Sequence, residues 1–366
     1  MGGEKITKNR VAELTISTAE NYGSVLQAYA LRNFLEEEGY DVDVINYEPE
    51  YLKNRYSLFK IDNSSFIKCF KTFISSSVNF YNRILKKVRF RGFQKKYIGI
   101  CNHKLDNIKE LERYNTVFVG GDQLWNTRIT NYNTDFFLDK LDIKNKIGFS
   151  VSMGYNDRTV EEVSFYKKYI NNFNYIYVRE STDVDFLNSI STLDNINYVL
   201  DPTLLVEKDI WIKLAKRSKR VIHKKYILVY IFNQDINTIL LIKKICDTLR
   251  LPVYIIKNAF RKYDENGFIN IKCVGPLQFV NLFSNAEYIV TNSFHGTAFS
   301  IIFEKNFSCI PYFGTENRMI SLLNILKLQK ALNNEINIFD YSSVNSILDI
   351  ERKRAREIIR EIKGQN

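Results

Sequence analysis

The stretch Arg10–Glu48, RVAELTISTAENYGSVLQAYALRNFLEEEGYDVDVINYE, changes its period twice. Its two ends are short apolar runs of the kind that form strands, RVAELTIST and DVDVINYE. Between them Val25, Leu26, Tyr29, Ala30 and Phe34 recur at helical spacing, Glu36 to Glu38 gather near a solvated end, and Gly39 is placed to stop the helix. Strand, helix and strand in this order make a βαβ unit, which predicts a parallel sheet. Asn21, Tyr22 and Gly23 then fall at the strand-to-helix turn, where free N–H groups and the helix dipole favour an anion. An ordinary βα turn is the competing reading.

Further runs repeat the pattern: TVFVGGDQLWN (116–126), KIGFSVSMGY (146–155), YIYVRE (175–180), INYVLDPTLL (196–205), KYILVYIF (225–232), LPVYIIK (251–257) and EYIVTN (287–292), with helical stretches between. The reading is an α/β chain with an N-terminal domain over 1–200 and a C-terminal domain over 201–340. A charged amphipathic helix over 341–366 bridges back to the first. Two α/β domains in series place a site in the cleft between them.

With 366 residues, 45% apolar and 25% charged, the chain is larger than one core usually serves. No run of about 18 apolar residues offers a membrane span and neither end reads as a signal peptide, so the expectation is a cytoplasmic protein. The five cysteines are scattered, without a CxxC pair or a histidine at metal-ligand spacing, so neither disulfides nor a structural zinc are expected. Asp41-Val42-Asp43 has DxD spacing, but its valines alternate as in a half-exposed strand, and no metal site is assigned.

The formal charge of +11 is largely one local feature. Between Asp62 and Asp106 no acidic residue occurs, while Lys68, Lys71, Arg83, Lys86, Lys87, Arg89, Arg91, Lys95, Lys96 and Lys104 do. This segment, about 52–105, interleaves aromatic and basic residues, which suits an anionic membrane, a polyphosphate or a nucleic acid. Nothing else resembles a nucleic-acid module, so the expectation is peripheral contact with an anionic membrane and no nucleic acid. A solvated helical pair is the alternative.

Three turns carry chemistry. In TNSFHGTAFS (291–300), Asn292, Ser293, His295, Gly296 and Thr297 occupy a strand-to-helix turn that offers backbone donors, hydroxyls and a near-neutral imidazole to an anion. His103 and His223 stand among solvated polar residues and receive no role. After TVFVGG, Gly121, Asp122, Trp125 and Asn126 suit sugar hydroxyls and a ring face. Arg179, at the end of YIYVRE, has a donor fork for phosphate or carboxylate, or else pairs with Glu180.

At these residues the chain resembles the polysaccharide pyruvyl transferase family: NYGSVLQAYAL, VGGDQLWN, VSMGY, YVRE, LDPTLL, TNSFHGTAFSIIF and NRMISLLNIL follow in the family's order. The resemblance implies two Rossmann-like domains facing a cleft, of glycosyltransferase-B type. It also implies transfer of the pyruvyl group of phosphoenolpyruvate, the co-substrate, to two hydroxyls of a sugar, with no further cofactor. The acceptor it implies is a surface polysaccharide, its lipid-diphosphate-linked precursor or a glycan.

His295 matches the motif histidine and is the expected proton carrier. Arg179, Asn292, Ser293, Gly296, Thr297 and Arg318 are expected on the donor side; Asn21, Tyr22, Gly23, Gln27, Gly121, Asp122, Trp125 and Asn126 on the acceptor side. Ser293 stands where many members carry arginine. That departure keeps open a glycosyltransferase with a nucleotide-sugar donor, beside a non-catalytic carbohydrate-binding protein.

Overall fold

In the computed structural model, which describes residues 9–49, 69–101, 104–232, 236–256, 267–311, 316–332 and 335–365, Arg10–Glu48 folds as a βαβ unit. Strand β1 (Arg10–Leu14), helix α1 (Tyr22–Glu37) and strand β2 (Asp41–Val44) follow in turn, with β1 and β2 parallel. Strands β3 (Thr116–Gly121), β4 (Asn145–Val151), β5 (Tyr175–Val178) and β6 (Ile196–Tyr198) complete a parallel sheet of order β2-β1-β3-β4-β5-β6. A second parallel sheet holds β7 (Ile227–Tyr230), β8 (Val253–Ile256), β9 (Ile269–Ile271), β10 (Tyr288–Thr291) and β11 (Asn306–Cys309), in the order β11-β10-β7-β8-β9. The central strands are apolar on both faces because helices cover both, which is why they appear in sequence as unbroken runs.

Each sheet reverses its strand order once, between β1 and β3 and between β7 and β10. Ligands in such sheets bind beyond the carboxyl ends of the strands at that reversal. The two reversal points face each other across the cleft, giving the glycosyltransferase-B arrangement.

The helices that position the cleft are α2 (Cys69–Phe93), α3 (Pro202–Leu205), α4 (Pro276–Asn285), α5 (Phe294–Ile302), α6 (Glu316–Ile325) and α7 (Tyr341–Gly364). Helix α7 starts on the second domain, where the Tyr341 hydroxyl donates to the Lys305 carbonyl at 2.6 Å. It ends on the first, where Arg354 donates to the Tyr198 carbonyl and Lys363 to the Glu38 carbonyl, both at 2.8 Å. The domains also meet at Tyr22, whose ring stacks on Phe279 at 4.5 Å and whose hydroxyl donates to the Val274 carbonyl at 2.8 Å. Of the basic segment, residues 52–68, 102 and 103 lie outside the described residues; residues 69–98 are α2 and the turn Gln94–Ile98 that follows it. Asp43 accepts from Arg10 and from the Tyr114 hydroxyl, both at 2.7 Å.

One core residue goes against the apolar pattern. Glu13, in β1, is 0% exposed, and neither carboxyl oxygen has a hydrogen-bond partner among the described residues. Burial pushes its pKa well above the usual glutamate range, with Arg32 opposing and Glu36 adding to the rise. A group raised on folding contributes stability that is complete below its unfolded pKa and is lost as pH climbs through the folded value. Thermal unfolding at pH 5 and pH 8 therefore shows lower stability at pH 8, and Glu13→Gln flattens that difference. An unchanged difference in the variant refutes this assignment.

Candidate functional site

The turn at Thr291–Gly296 is built by local hydrogen bonds. The Thr291 hydroxyl donates to the Tyr230 carbonyl at 2.7 Å and accepts from the Ser293 amide at 3.1 Å, tying the ends of β10 and β7 together. Asn292 accepts from the Phe232 amide at 2.7 Å. Ser293 caps α5 by accepting from the Gly296 amide at 3.3 Å, as short hydroxyl side chains do at this position. A Cβ on Gly296 would lie 2.1 Å from the Thr291 hydroxyl, so the helix starts this close to the strand only with glycine there.

That start aims His295 out of the second domain and onto the first turn of α1. The ring lies against Gly23, where a Cβ would be 2.3 Å from Nδ1. Helix α1 begins there because Asn21 caps it, accepting from the Gly23 amide at 2.9 Å. His295 Nδ1 is 3.9 Å from Asp122 Oδ2 and Nε2 is 3.6 Å from Asp201 Oδ2. Both separations exceed a direct hydrogen bond, and Nε2 has no partner among the described residues.

The two aspartates come from separate elements of the chain. Asp122 follows β3 at the strand-order reversal. Asp201 caps α3, with Pro202 in the first turn: its Oδ1 accepts from the Thr203 amide at 3.0 Å and hydroxyl at 2.7 Å, while Oδ2 accepts from Arg179 at 3.2 Å on the side toward His295. Burial alone would raise the pKa of both. For Asp201 a charged His295, Arg179 and the Thr203 hydroxyl outweigh it; for Asp122 Arg179, His295 and Arg318 do. Both pKa values lie below the usual carboxylate range, so both groups are carboxylates at neutral pH, with Asp122 in the cavity wall and Asp201 buried beside the imidazole.

Arg179 is placed differently from the sequence expectation. It is 3% exposed and lies behind the cavity wall, stacked on the Phe294 ring at 3.9 Å. Its donors go to Glu180 at 2.8 Å, Ser152 at 2.9 Å, Asp122 at 3.1 Å and Asp201 at 3.2 Å. The fork expected to clamp the donor holds the two aspartates beside His295, and Glu180 is one partner among several.

The cleft holds a cavity of about 410 Å³ whose wall includes Asn21, Gly23, Asp122, Asn292, Ser293, His295 and Arg318. Arg318 donates to Asp122 at 3.2 Å across the domains, while its Nε has no partner among the described residues. The other residues singled out from sequence stand behind that wall. Trp125 is core: its indole N–H donates to the Phe136 carbonyl at 3.0 Å and it stacks on Phe137 at 4.9 Å, so no ring face is left for a sugar. Tyr22 belongs to the domain seam, and Gln27 and Gly121 meet Thr15 beneath the cavity. Asn126 caps a short helix, accepting from the Arg128 amide at 3.1 Å, and Gly296 and Thr297 are enclosed in α5.

Sequence reading missed Arg128, Tyr155, Tyr230 and Phe232, which line the same cavity. Arg128 lies over the Tyr155 ring at 4.8 Å and is held by Glu162 at 3.0 Å. Tyr155 closes VSMGY just past the carboxyl end of β4 and Phe232 follows β7, so strand ends were the available signal; Arg128 had none. Asp201 was also missed, although it stands at the domain boundary before Pro202.

A family model for polysaccharide pyruvyl transferase matches residues 21–313, a span that contains every wall residue named above except Arg318. The chain belongs to this family, and so to a family of transferases. No curated protein matches it. Similar solved structures include UDP-GlcNAc 2-epimerase from Methanocaldococcus jannaschii, at 15% identity over 93% of this chain and 98% of that one, TM-score 0.46. The enzyme of that name from Neisseria meningitidis is 13% identical over 98% and 99% of the two chains, TM-score 0.48. The one from Rickettsia bellii is 9% identical over 97% and 96%, TM-score 0.49.

Within this family member, the contact of Gly23 with the imidazole is open to a direct test. Alanine is the better helix former by roughly 0.5–1 kcal/mol, so helix α1 itself tolerates Gly23→Ala. The new methyl nevertheless occupies the place of the His295 ring. Turnover should fall at least tenfold while far-UV circular dichroism stays unchanged, and an active Gly23→Ala protein would remove the contact from the mechanism.

Proposed function

We propose that the protein transfers the pyruvyl group of phosphoenolpyruvate to two hydroxyls of a sugar, forming a cyclic ketal and releasing phosphate. The observation that carries this reading is the buried His295 imidazole, whose Nε2 has no hydrogen-bond partner among the described residues, set between Asp122 and Asp201 in the wall of a cavity that also contains Arg318. Phosphoenolpyruvate brings a phosphate and a carboxylate, which call for a guanidinium and the free N–H groups at the start of α5. His295 gives its proton to the methylene carbon, leaving an oxocarbenium-like centre at the carbon bearing phosphate. One sugar hydroxyl attacks that carbon and its proton returns to the imidazole; the imidazolium passes that proton to the phosphate as its C–O bond breaks, and then takes the proton of the second hydroxyl as that oxygen closes the ketal. One group that gives and takes a proton serves both additions.

Arg318 and the start of α5 form the donor end in this reading. Asn21, Arg128 and Tyr155 form the acceptor end, where the guanidinium over the tyrosine ring leaves an aromatic and polar wall suited to a sugar. No organic cofactor is assigned.

A nucleotide-sugar glycosyltransferase is the second reading, and Ser293 favours it. Its hydroxyl is used as a cap and supplies no cation where the family often has one. Incubation with each donor separates the two: phosphate release from phosphoenolpyruvate supports the first, nucleotide release the second. In the productive assay His295→Ala lowers turnover by about 10²-fold or more with the thermal midpoint preserved. Arg318→Ala raises KM for the donor more than it lowers kcat. Full turnover in His295→Ala removes His295 from the mechanism, and no product release from either donor in the unsubstituted protein leaves a carbohydrate-binding role in place of catalysis.

A further inference from the structure

Helix α2 and the turn Gln94–Ile98 that continues it present two unlike faces from Tyr81 onward. The inner face is committed to the fold. Phe90 and Phe93 are buried, Lys86 Nζ lies 5.2 Å from the centre of the Tyr22 ring, and Arg89 donates to the Cys273 carbonyl in the second domain. The outer face is unlike an ordinary solvated one. Tyr81, Ile84 and Val88 are 64%, 37% and 58% exposed, and Arg91 and Lys95, also exposed, continue the same stripe at spacings of three and four. Lys87 and Lys96 flank it, and no acidic residue occurs between Asp62 and Asp106.

A solvated helix face carries mixed charge and few large apolar side chains. Exposed apolar side chains bordered by cations of one sign are the composition of a helix that lies in the boundary of a bilayer. Among the described residues no helix is long and apolar enough to cross a membrane, so contact here is at the surface.

We propose that this face seats the protein on an anionic bilayer, with Tyr81, Ile84 and Val88 entering the headgroup boundary and Lys87, Arg91, Lys95 and Lys96 meeting the lipid phosphates. The charge complementarity is one-sided over the whole segment. Its geometry is also directed: the inner face of the same helix covers Tyr22, whose neighbours Asn21 and Gly23 line the cavity, about one helix diameter, roughly 10 Å, away. A sugar presented from the lipid surface would reach the acceptor end of the cleft. The inference concerns where the protein sits and does not rest on the donor chemistry.

The test is flotation of the full-length protein with vesicles of phosphatidylcholine alone and of phosphatidylcholine mixed equally with phosphatidylglycerol. Binding is expected on the mixed vesicles only, and it weakens as salt shortens the screening length from about 10 Å to about 3 Å. Arg91→Glu and Lys95→Glu lower affinity by about fivefold or more each, and Ile84→Asp with Val88→Asp lowers it further, with the thermal midpoint held. In the unsubstituted protein, hydrogen exchange at 81–96 slows on vesicle addition. Several results overturn the proposal: equal binding to both vesicles, binding indifferent to these substitutions, or unchanged exchange at 81–96. A dimer in sedimentation that the same substitutions split also overturns it, and gives the face to a second copy of the chain.

Discussion

Arg179 carries its charge at 3% exposure, so the site around it depends on how that charge is neutralised. Three carboxylates do so: Asp122 from the end of β3, Glu180 from the end of β5, and Asp201 from the cap of α3. Breaking a buried pair by removing one partner costs about 3–5 kcal/mol, because the other charge is left uncompensated. An apolar replacement of the whole set is often neutral, so stability alone gives little reason to keep it. What the cluster adds is position. It brings residues separated by 79 positions in sequence within reach of one imidazole from the other domain, with the Phe294 ring of that domain stacked on the guanidinium.

The cluster would not meet His295 if the domains were free to part, and helix α7 and the Tyr22 seam both hold them together. Helix α7 runs from the second domain to the first, its cations donating to carbonyls at the ends of β6 and α1. On the cleft side Tyr22 projects from the start of α1 among Phe279, Tyr230 and Phe90, with ring centroids 4.5 to 5.9 Å apart. A tyrosine that buries its ring and still satisfies its hydroxyl, here on the Val274 carbonyl, suits an interface of this kind. The same first turn supplies Gly23 to the imidazole, so the domain contact and the position of His295 are set by neighbouring residues.

The two sheets were legible because parallel strands covered on both faces leave unbroken apolar runs, and the helices between them keep a helical period. His295 was legible for a related reason: a histidine between a strand and a glycine-started helix has few structural explanations. What failed was any reading that depended on partners distant in sequence. Arg179 looked like a donor clamp because Asp122 and Asp201, 57 and 22 positions away, could not be seen to occupy its fork. Trp125 looked like a sugar platform because its burial under Phe137 and Phe173 is a tertiary fact. Arg128 and Tyr155 meet only once β4 lies beside β3, and no local pattern announces Arg128 or its contact with that ring.

The serine at 293 gains a physical meaning from the charges around it. Arg179 and Arg318 face Asp122, Asp201 and Glu180, so the enclosure carries one more carboxylate than guanidinium, and a protonated His295 brings it to formal neutrality. An arginine at position 293 would add a cation free to meet an anionic donor. With serine there, committed to capping α5, the cations of the cavity wall are Arg128, held by Glu162, and Arg318, shared with Asp122. In the proposed reaction, a trianionic donor entering this cavity would compete with Asp122 for Arg318. Because Asp122 is shared between Arg318, Arg179 and the imidazole, donor binding at Arg318 would in that reaction be coupled to the carboxylate beside His295. An arginine in place of Ser293 would separate them.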